Sequence, residues 1–306
     1  MNSFRCLSMI LLSLLIGSCS SQNDAAQTAD IMAEPQPSQE KNSAEIAARH
    51  ESVFACDYLG QEPPGNVPVK FAPGIISTAK DDSSFEISAS GKEIVFSRDY
   101  GVSLLQQGTN GEWGDPTVLI DSGSETSFSP DGTMIYFNSR RPLPGAAVPL
   151  NVWVLKKLNG TWGDPSHLGE PVIEQTVHAP SIAADGSLYA SGIICLKYID
   201  GRYQTAERLT PDITGYHPFA APDESYIIFD HPPQGGQRGA DLSITFHDPD
   251  EGWDTPIPLG EHINTPALET NAFITPDGKY LFFTRNFDIY WVKADLLEKL
   301  SRSHQD

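Results

Sequence analysis

Apolar and polar residues alternate with a period of two along short stretches of this chain, and the stretches come in pairs separated by a tight turn. Five such pairs are present: FEISASGKEIVFSR, SFSPDGTMIYFNSR, PSIAADGSLYASG, FAAPDESYIIFD and AFITPDGKYLFFTR. A period of two is the signature of a half-buried strand, and Pro/Ala-Asp-Gly supplies the preset φ and the tolerance of positive φ that a strand-to-strand turn needs. The turn residues are Gly91, Gly132, Gly186, Glu224 and Gly278, with Glu224 the exception to glycine. A second motif follows four of the pairs: NGEWGDPTVL, NGTWGDPSHL, DGRYQTAERL and DEGWDTPIPL, each a polar turn, an aromatic (Trp113, Trp162, Tyr203, Trp253) and a leucine. Between the two motifs runs a third apolar segment, such as 151–158, 193–199 or 241–246. The repeating unit is therefore a four-stranded antiparallel meander.

Successive turns lie 41, 54, 38 and 54 residues apart, spacings that suit propeller blades, with surface insertions filling the long intervals. A lone meander cannot bury both faces, so the blades must stack around an axis. The last copy stops after its third strand at 288–292, and an unmatched strand, VKFAPGIIS at 69–77, precedes the first copy. The expectation is an all-β propeller of five blades, six being the alternative, whose ring is closed by the N-terminal strand in the last blade. The string S-P-D-G-x-x-[ILM]-[YF]-F-x-S-R, best seen at Ser129–Arg140 and Thr275–Arg285, resembles the WD-like propeller repeat of TolB-type periplasmic proteins across most of 66–292. The resemblance implies a fold and a compartment; members range from protein-binding scaffolds to domains attached to peptidases and sugar-degrading enzymes, and the matching residues are structural.

The first residues are not part of the repeat. A polar start with Arg5, an apolar stretch from Cys6 to Ile16 and the small pair Gly17-Ser18 read as an export signal over 1–18. Ile16-Gly17-Ser18-Cys19 resembles the bacterial lipobox, which implies that Cys19 carries the lipid. Ser20 follows, where lipoproteins held in the inner membrane commonly carry Asp, so the resemblance implies an outer-membrane anchor facing the periplasm. Residues 19–52 are rich in Ala, Gln, Ser, Asp, Glu and Pro and read as a flexible tether, with a marginal helix over 43–54. The propeller and a short C-terminal helix over 294–302 occupy 53–306. Cys56 and Cys195 remain after processing, either as a disulfide or as two free buried thiols.

Composition narrows the partners. Forty acidic side chains against twenty basic ones give a formal charge of −20, and no Lys/Arg cluster is present. Such a surface repels phosphate backbones, so nucleic acid is excluded as a partner and cationic partners are favoured. No G-x-S-x-G elbow, phosphate-binding glycine loop, EF-hand loop or sialidase box occurs, and no cofactor is expected.

An antiparallel hairpin brings the start of its first strand and the end of its second to the same rim. In register before the turns stand Ser84, Glu125, Ala179, His217 and Asn271, with Asp82, His178 and Glu269 one or two positions away; Arg98, Arg140, His231 and Arg285 end the second strands. All are placed on one funnel face, where propeller loops converge. The arginines belong to the repeat and are expected to pair with acids of a neighbouring blade. A sharper reading takes His178, His217 and His231 with Glu125 or Glu269 as a metal or acid–base set, since imidazole and carboxylate serve both chemistries. Linear spacing alone does not require it. The sequence thus points to a monomeric, lipid-anchored, non-catalytic module binding a protein, peptide or glycan on the funnel face. The alternative is a carbohydrate-active hydrolase or lyase using the same funnel.

Overall fold

The computed structural model describes residues 54–146, 149–210, 213–233 and 239–305; the signal, Cys19, the tether and nearly all of the marginal helix lie outside them. The described residues form five antiparallel blades around a ring, with a two-stranded ribbon, Tyr198–Ile199 and Arg202–Tyr203, continuing blade III. Blade I comprises Asp82–Ile87, Glu93–Arg98, Gly101–Gln106 and Thr117–Ile120. Blade II comprises Ser124–Phe128, Met134–Ser139, Asn151–Leu158 and Ser166–His167. Blade III is the thinnest, with Ser181–Ile182, Leu188–Ala190, Ile194–Leu196 and Glu207–Arg208. Blade IV holds Tyr216–Ala220, Tyr226–His231, Asp241–Asp248 and Ile257–Pro258, and blade V holds Glu269–Ile274, Tyr280–Arg285 and Asp288–Lys293.

The fourth strand of blade V is Val69–Lys70, which pairs antiparallel with Asp288–Lys293 in the register Val69 to Trp291 and Lys70 to Tyr290. The ring therefore closes as the orphan strand of the sequence required, with five blades rather than six. Lys70 reinforces the closure by an ion pair to Asp288 at 2.7 Å, and Ser77 exchanges hydrogen bonds with the Ile289 backbone. Beneath the closure lies an aromatic core. Phe71 meets Phe85, Phe282 and Trp291 with ring centroids 5.1–5.2 Å apart, and Phe85 stacks on Phe282 at 4.6 Å. Edge-on and offset rings of this kind add to area burial, which concentrates packing energy where the chain must hold its ends together.

The turns explain the Asp-Gly signature. In each hairpin the turn residue donates its N–H to the carbonyl three residues earlier, as Gly132 does to Ser129 and Gly278 to Thr275 at 2.8 Å. The preceding aspartate carboxylate gathers the hydroxyl and N–H groups around it: Asp131 accepts from Ser129 Oγ and Thr133 N, and Asp277 from Thr275 Oγ1 and Lys279 N. Gly91 has a second reason to be glycine, because a Cβ there would lie 2.7 Å from the Ala55 backbone. Glu224 adopts φ +61 without being glycine, and its carboxylate accepts the Tyr189 hydroxyl and the Lys197 ammonium of blade III. The departure from the repeat is an inter-blade staple.

The second motif is a latch of the same kind. Trp162 Nε1 donates to Glu93 of blade I at 3.2 Å, and Trp113 Nε1 donates to Asp57 of the entry segment at 2.6 Å. Tyr203 shares a hydrogen bond with Tyr136 of blade II, and Trp253 packs against the cluster holding Tyr189 and Cys195 of blade III. Each aromatic of the repeat thus reaches back to the structure before it. Cys56 and Cys195 are both free, which corrects the disulfide alternative: Cys56 packs against the closure core, whereas Cys195 sits in blade III. Burial pushes both thiols up to about 11. The C-terminal helix, Asp295–Gln305, lays Leu296, Leu297 and Leu300 on the closure core, and no helix among the described residues is long and apolar enough to cross a membrane.

Candidate functional site

One residue in or just before every innermost strand has a left-handed backbone: Ser84 (φ 53), Glu125 (φ 53), Ala179 (φ 52), His217 (φ 43) and Asn271 (φ 50). Each stands seven residues before its turn residue. In blades I, II, IV and V the pairing register shifts there, between Ser83 and Glu86, Ser124 and Ser127, Tyr216 and Phe219, and Thr270 and Phe273. A bulge re-aims a side chain and ends regular pairing, so the repeat presents five residues to the axis at one level. All five line the same central depression, with Phe85, Glu86, Thr126, Pro180, Pro218 and Ala272 beside them.

The N–H groups freed by the bulges are bonded to the preceding blade. Glu125 N donates to Ser97 Oγ and His217 N to Ser191 Oγ, both at 3.1 Å; Asn271 N donates to Asp230, and Ala179 N to Glu125 Oε2 at 3.1 Å. Strain at four of the five left-handed positions is thereby offset by a belt of inter-blade bonds.

His217 is the hub of the polar network. Its Nδ1 lies 2.8 Å from Asp230 Oδ1 and its Nε2 3.3 Å from Glu125 Oε1. Burial disfavours the imidazolium, but the hydrogen bonds and charges of Asp230 and Glu125 outweigh it and raise His217 to about 10. Both ring nitrogens then donate. Burial likewise raises Glu125, yet bonds from His217 and the charges of His217 and His178 hold it below the ordinary carboxylate range. Asn138 Nδ2 also donates to Glu125. Burial keeps Asp230 above its ordinary value against the pull of His217. His178 lies close enough for the charges of Glu125 and His217 to act on it; burial lowers its value, and its buried Nδ1 has no hydrogen bond among the described residues.

The remaining sequence candidates separate into other roles. Arg98 Nε pairs with Asp82 at 2.5 Å and Arg285 Nε with Glu269 at 2.7 Å, each within its own blade, which corrects the expected inter-blade pairing. The two modules repeat in detail. Thr78 and Thr265 cap the buried carboxylates, and each Nη2 donates to two loop carbonyls, Ile75 and Ile76 or His262 and Ile263. Glu269 is fully buried in this pair rather than presented to the axis. Arg140 falls one residue beyond the register of Arg98 and Arg285, because Ser139 occupies the last strand position of blade II; Arg140 is exposed. His231 turns toward the third strand, with Nε2 2.8 Å from Ser243 Oγ. The structure thus joins Glu125, His178, His217 and Asn271 and separates them from His231, Glu269 and the three arginines. Among the described residues no three His, Cys, Asp or Glu side chains take a metal-holding arrangement.

Two participants escaped sequence reasoning. Asp230 is the penultimate residue of its second strand and carried no signal other than preceding His231. Glu86, two residues past the bulge of blade I, lines the depression; burial raises it to about 8 against the Phe128 N–H at 2.6 Å and Ser127. The axial depression is open to solvent, and its floor holds about 20 Å³, space for a single water molecule.

No family model matches the chain, and no curated protein matches it. Among solved structures it is similar to a protein described as TolB in Agrobacterium tumefaciens, 15% identical with a TM-score of 0.43, covering 67% of this chain and 70% of that one. It is similar to TolB of Acinetobacter baumannii, 14% identical with a TM-score of 0.42, covering 71% of this chain and 55% of the other. A xylan β-1,4-xylosidase of Bacillus halodurans is 13% identical with a TM-score of 0.46, covering 72% of this chain and 53% of the enzyme. The five-bladed ring itself follows from the sheet pairing of this chain.

Proposed function

We propose that the protein is a monomeric, lipid-anchored propeller of the bacterial envelope, held at Cys19 to the outer membrane and facing the periplasm, that binds a protein, peptide or glycan on its funnel face without catalysis. One observation carries the reading. The central groups of the axial network are tied to one another: His217 is bonded on both nitrogens, to Asp230 and Glu125, and the space above Glu125 admits one water molecule. A sugar ring cannot enter such a floor, whereas rim loops around it remain free to bind. Tyr216 and Tyr100, 49% and 78% exposed, stand on this rim, at the start of the first strand of blade IV and in the hairpin turn after Arg98.

The catalytic alternative has one observation in its favour. Glu86, raised to about 8, and Glu125, held low, line the same depression, and two carboxylates pushed apart in this way are the pattern of an acid–base pair. The experiment sets photo-crosslinking residues at Tyr100 and Tyr216 on the funnel rim and at Leu158 elsewhere, in the lipid-anchored protein, beside a hydrolysis assay on a glycan panel. Adducts confined to the rim positions, with no turnover, support the binding module. Turnover of any glycan that falls at least a hundredfold in Glu125→Gln overturns it in favour of the enzyme.

A further inference from the structure

A larger cleft, of about 420 Å³, lies away from the axis beside blade I, a volume in the range of ligand sites. One wall comes from the segment before the first blade, with Leu59, Gly74 and Ile75; the other comes from blade I, with Leu105, Trp113, Gly114, Asp115 and Pro116. Arg98 closes one end. It pairs with Gly101 at the start of the third strand, whereas Gly114 bonds to Gln106 at that strand's end. Five residues of strand separate them, so the cleft runs about 17 Å at about 3.3 Å per residue.

Its walls set the apolar side chains of Leu59, Ile75, Leu105, Trp113 and Pro116 among polar surface, with Arg98, already paired with Asp82, at one end and Asp115 at the other. Trp113 is fixed as a platform by the bond to Asp57, and Ile75 is 44% exposed. Arg98 uses Nε for Asp82 and Nη2 for two carbonyls, and its Nη1 makes no bond among the described residues. At the far end Asp115 is exposed. The backbone is bare between them: a Cβ on Gly74 would meet nothing within 4 Å, and one on Gly114 only the Gln106 carbonyl at 3.6 Å.

We propose that this cleft is a second binding site, separate from the funnel, for an extended peptide segment of about five residues. Its apolar side chains lie along Trp113, Pro116 and Ile75, a carboxylate meets Arg98 and a cationic group meets Asp115. A fatty acid would bring a carboxylate to Arg98 but leave Asp115 without a cationic counterpart, and a neutral saccharide would supply no charge to either. An extended peptide provides apolar side chains and a charge at each end over the required length.

The test uses the chain from residue 20 to 306 and two capped pentapeptides, Lys-Val-Leu-Val-Glu and its reverse, with Glu-Val-Leu-Val-Glu as the mismatched control. The readout is the indole N–H signal of Trp113, assigned with Trp113→Phe. One of the two mixed-charge peptides shifts that signal, the control binds more weakly, and Asp115→Lys, an exposed change that leaves the fold alone, weakens binding about fivefold. Absence of any shift at millimolar peptide overturns the proposal, as does equal affinity for the control. Binding that appears only after residues 20–52 are deleted overturns it too, because the tether is then the occupant.

Discussion

Protonation of His217 should make stability depend on pH between about 6.5 and 10, a window whose lower part Glu86 shares. The folded value is about 10 against an ordinary 6.5, so the folded state holds a proton that the unfolded chain releases. The sign follows directly: the stabilisation is fully present below pH 6.5, declines as pH rises, and is gone above about 10. Each pH unit inside the window is worth about 1.4 kcal/mol, and the whole span sets a ceiling of about 5 kcal/mol. His217 is three-quarters buried and lies against two carboxylates, so solvent screening removes only part of this. The assay is urea unfolding of residues 20–306 at pH 6.5, 7.5, 8.5 and 9.5, for wild type and His217→Gln, which retains a donor and loses the charge. Taking the difference removes tyrosine and lysine titrations common to both. The wild-type advantage should shrink steadily across the series, and the imidazole signals should show His217 still protonated at pH 8. A flat difference, or an imidazole that titrates at or below pH 7, refutes the assignment of His217 as a buried cation.

Phe71→Ala should remove about 3–5 kcal/mol, measured by chemical denaturation, because Phe71 is fully buried among Phe85, Phe282 and Trp291 at the ring closure. Glu224→Gly relaxes the left-handed turn, yet it should lower thermal stability by about 1 kcal/mol overall, since the Tyr189 and Lys197 bonds across the blade seam are lost. In residues 20–306, Cys56 and Cys195 should react with a thiol reagent slowly in the native state and as two equivalents in denaturant; a mass consistent with a disulfide would contradict the free thiols.

Much of the architecture was legible in the chain, because its determinants are local. The period of two, the Asp-Gly turns and the unmatched strand at 69–77 pointed to a closed propeller of five blades with six left open, since a turn depends on a few neighbouring residues and a missing strand must be supplied from somewhere; the sheet pairing decides for five. The five residues that reach the axis were also legible, being fixed at one distance from each turn. What those residues do was not. Arg98, Arg140 and Arg285 look alike in sequence, yet one residue of register separates Arg140 from the two that fold onto Asp82 and Glu269. His217 and Glu125 are 92 residues apart, and only ring closure sets them 3.3 Å from each other. Glu86 owes its raised value to burial that the stacking of blades creates. Local propensity reads from the sequence because its causes are neighbours along the chain; pairing, protonation and the width of the axial cavity depend on neighbours in space, and those the tertiary structure alone decides.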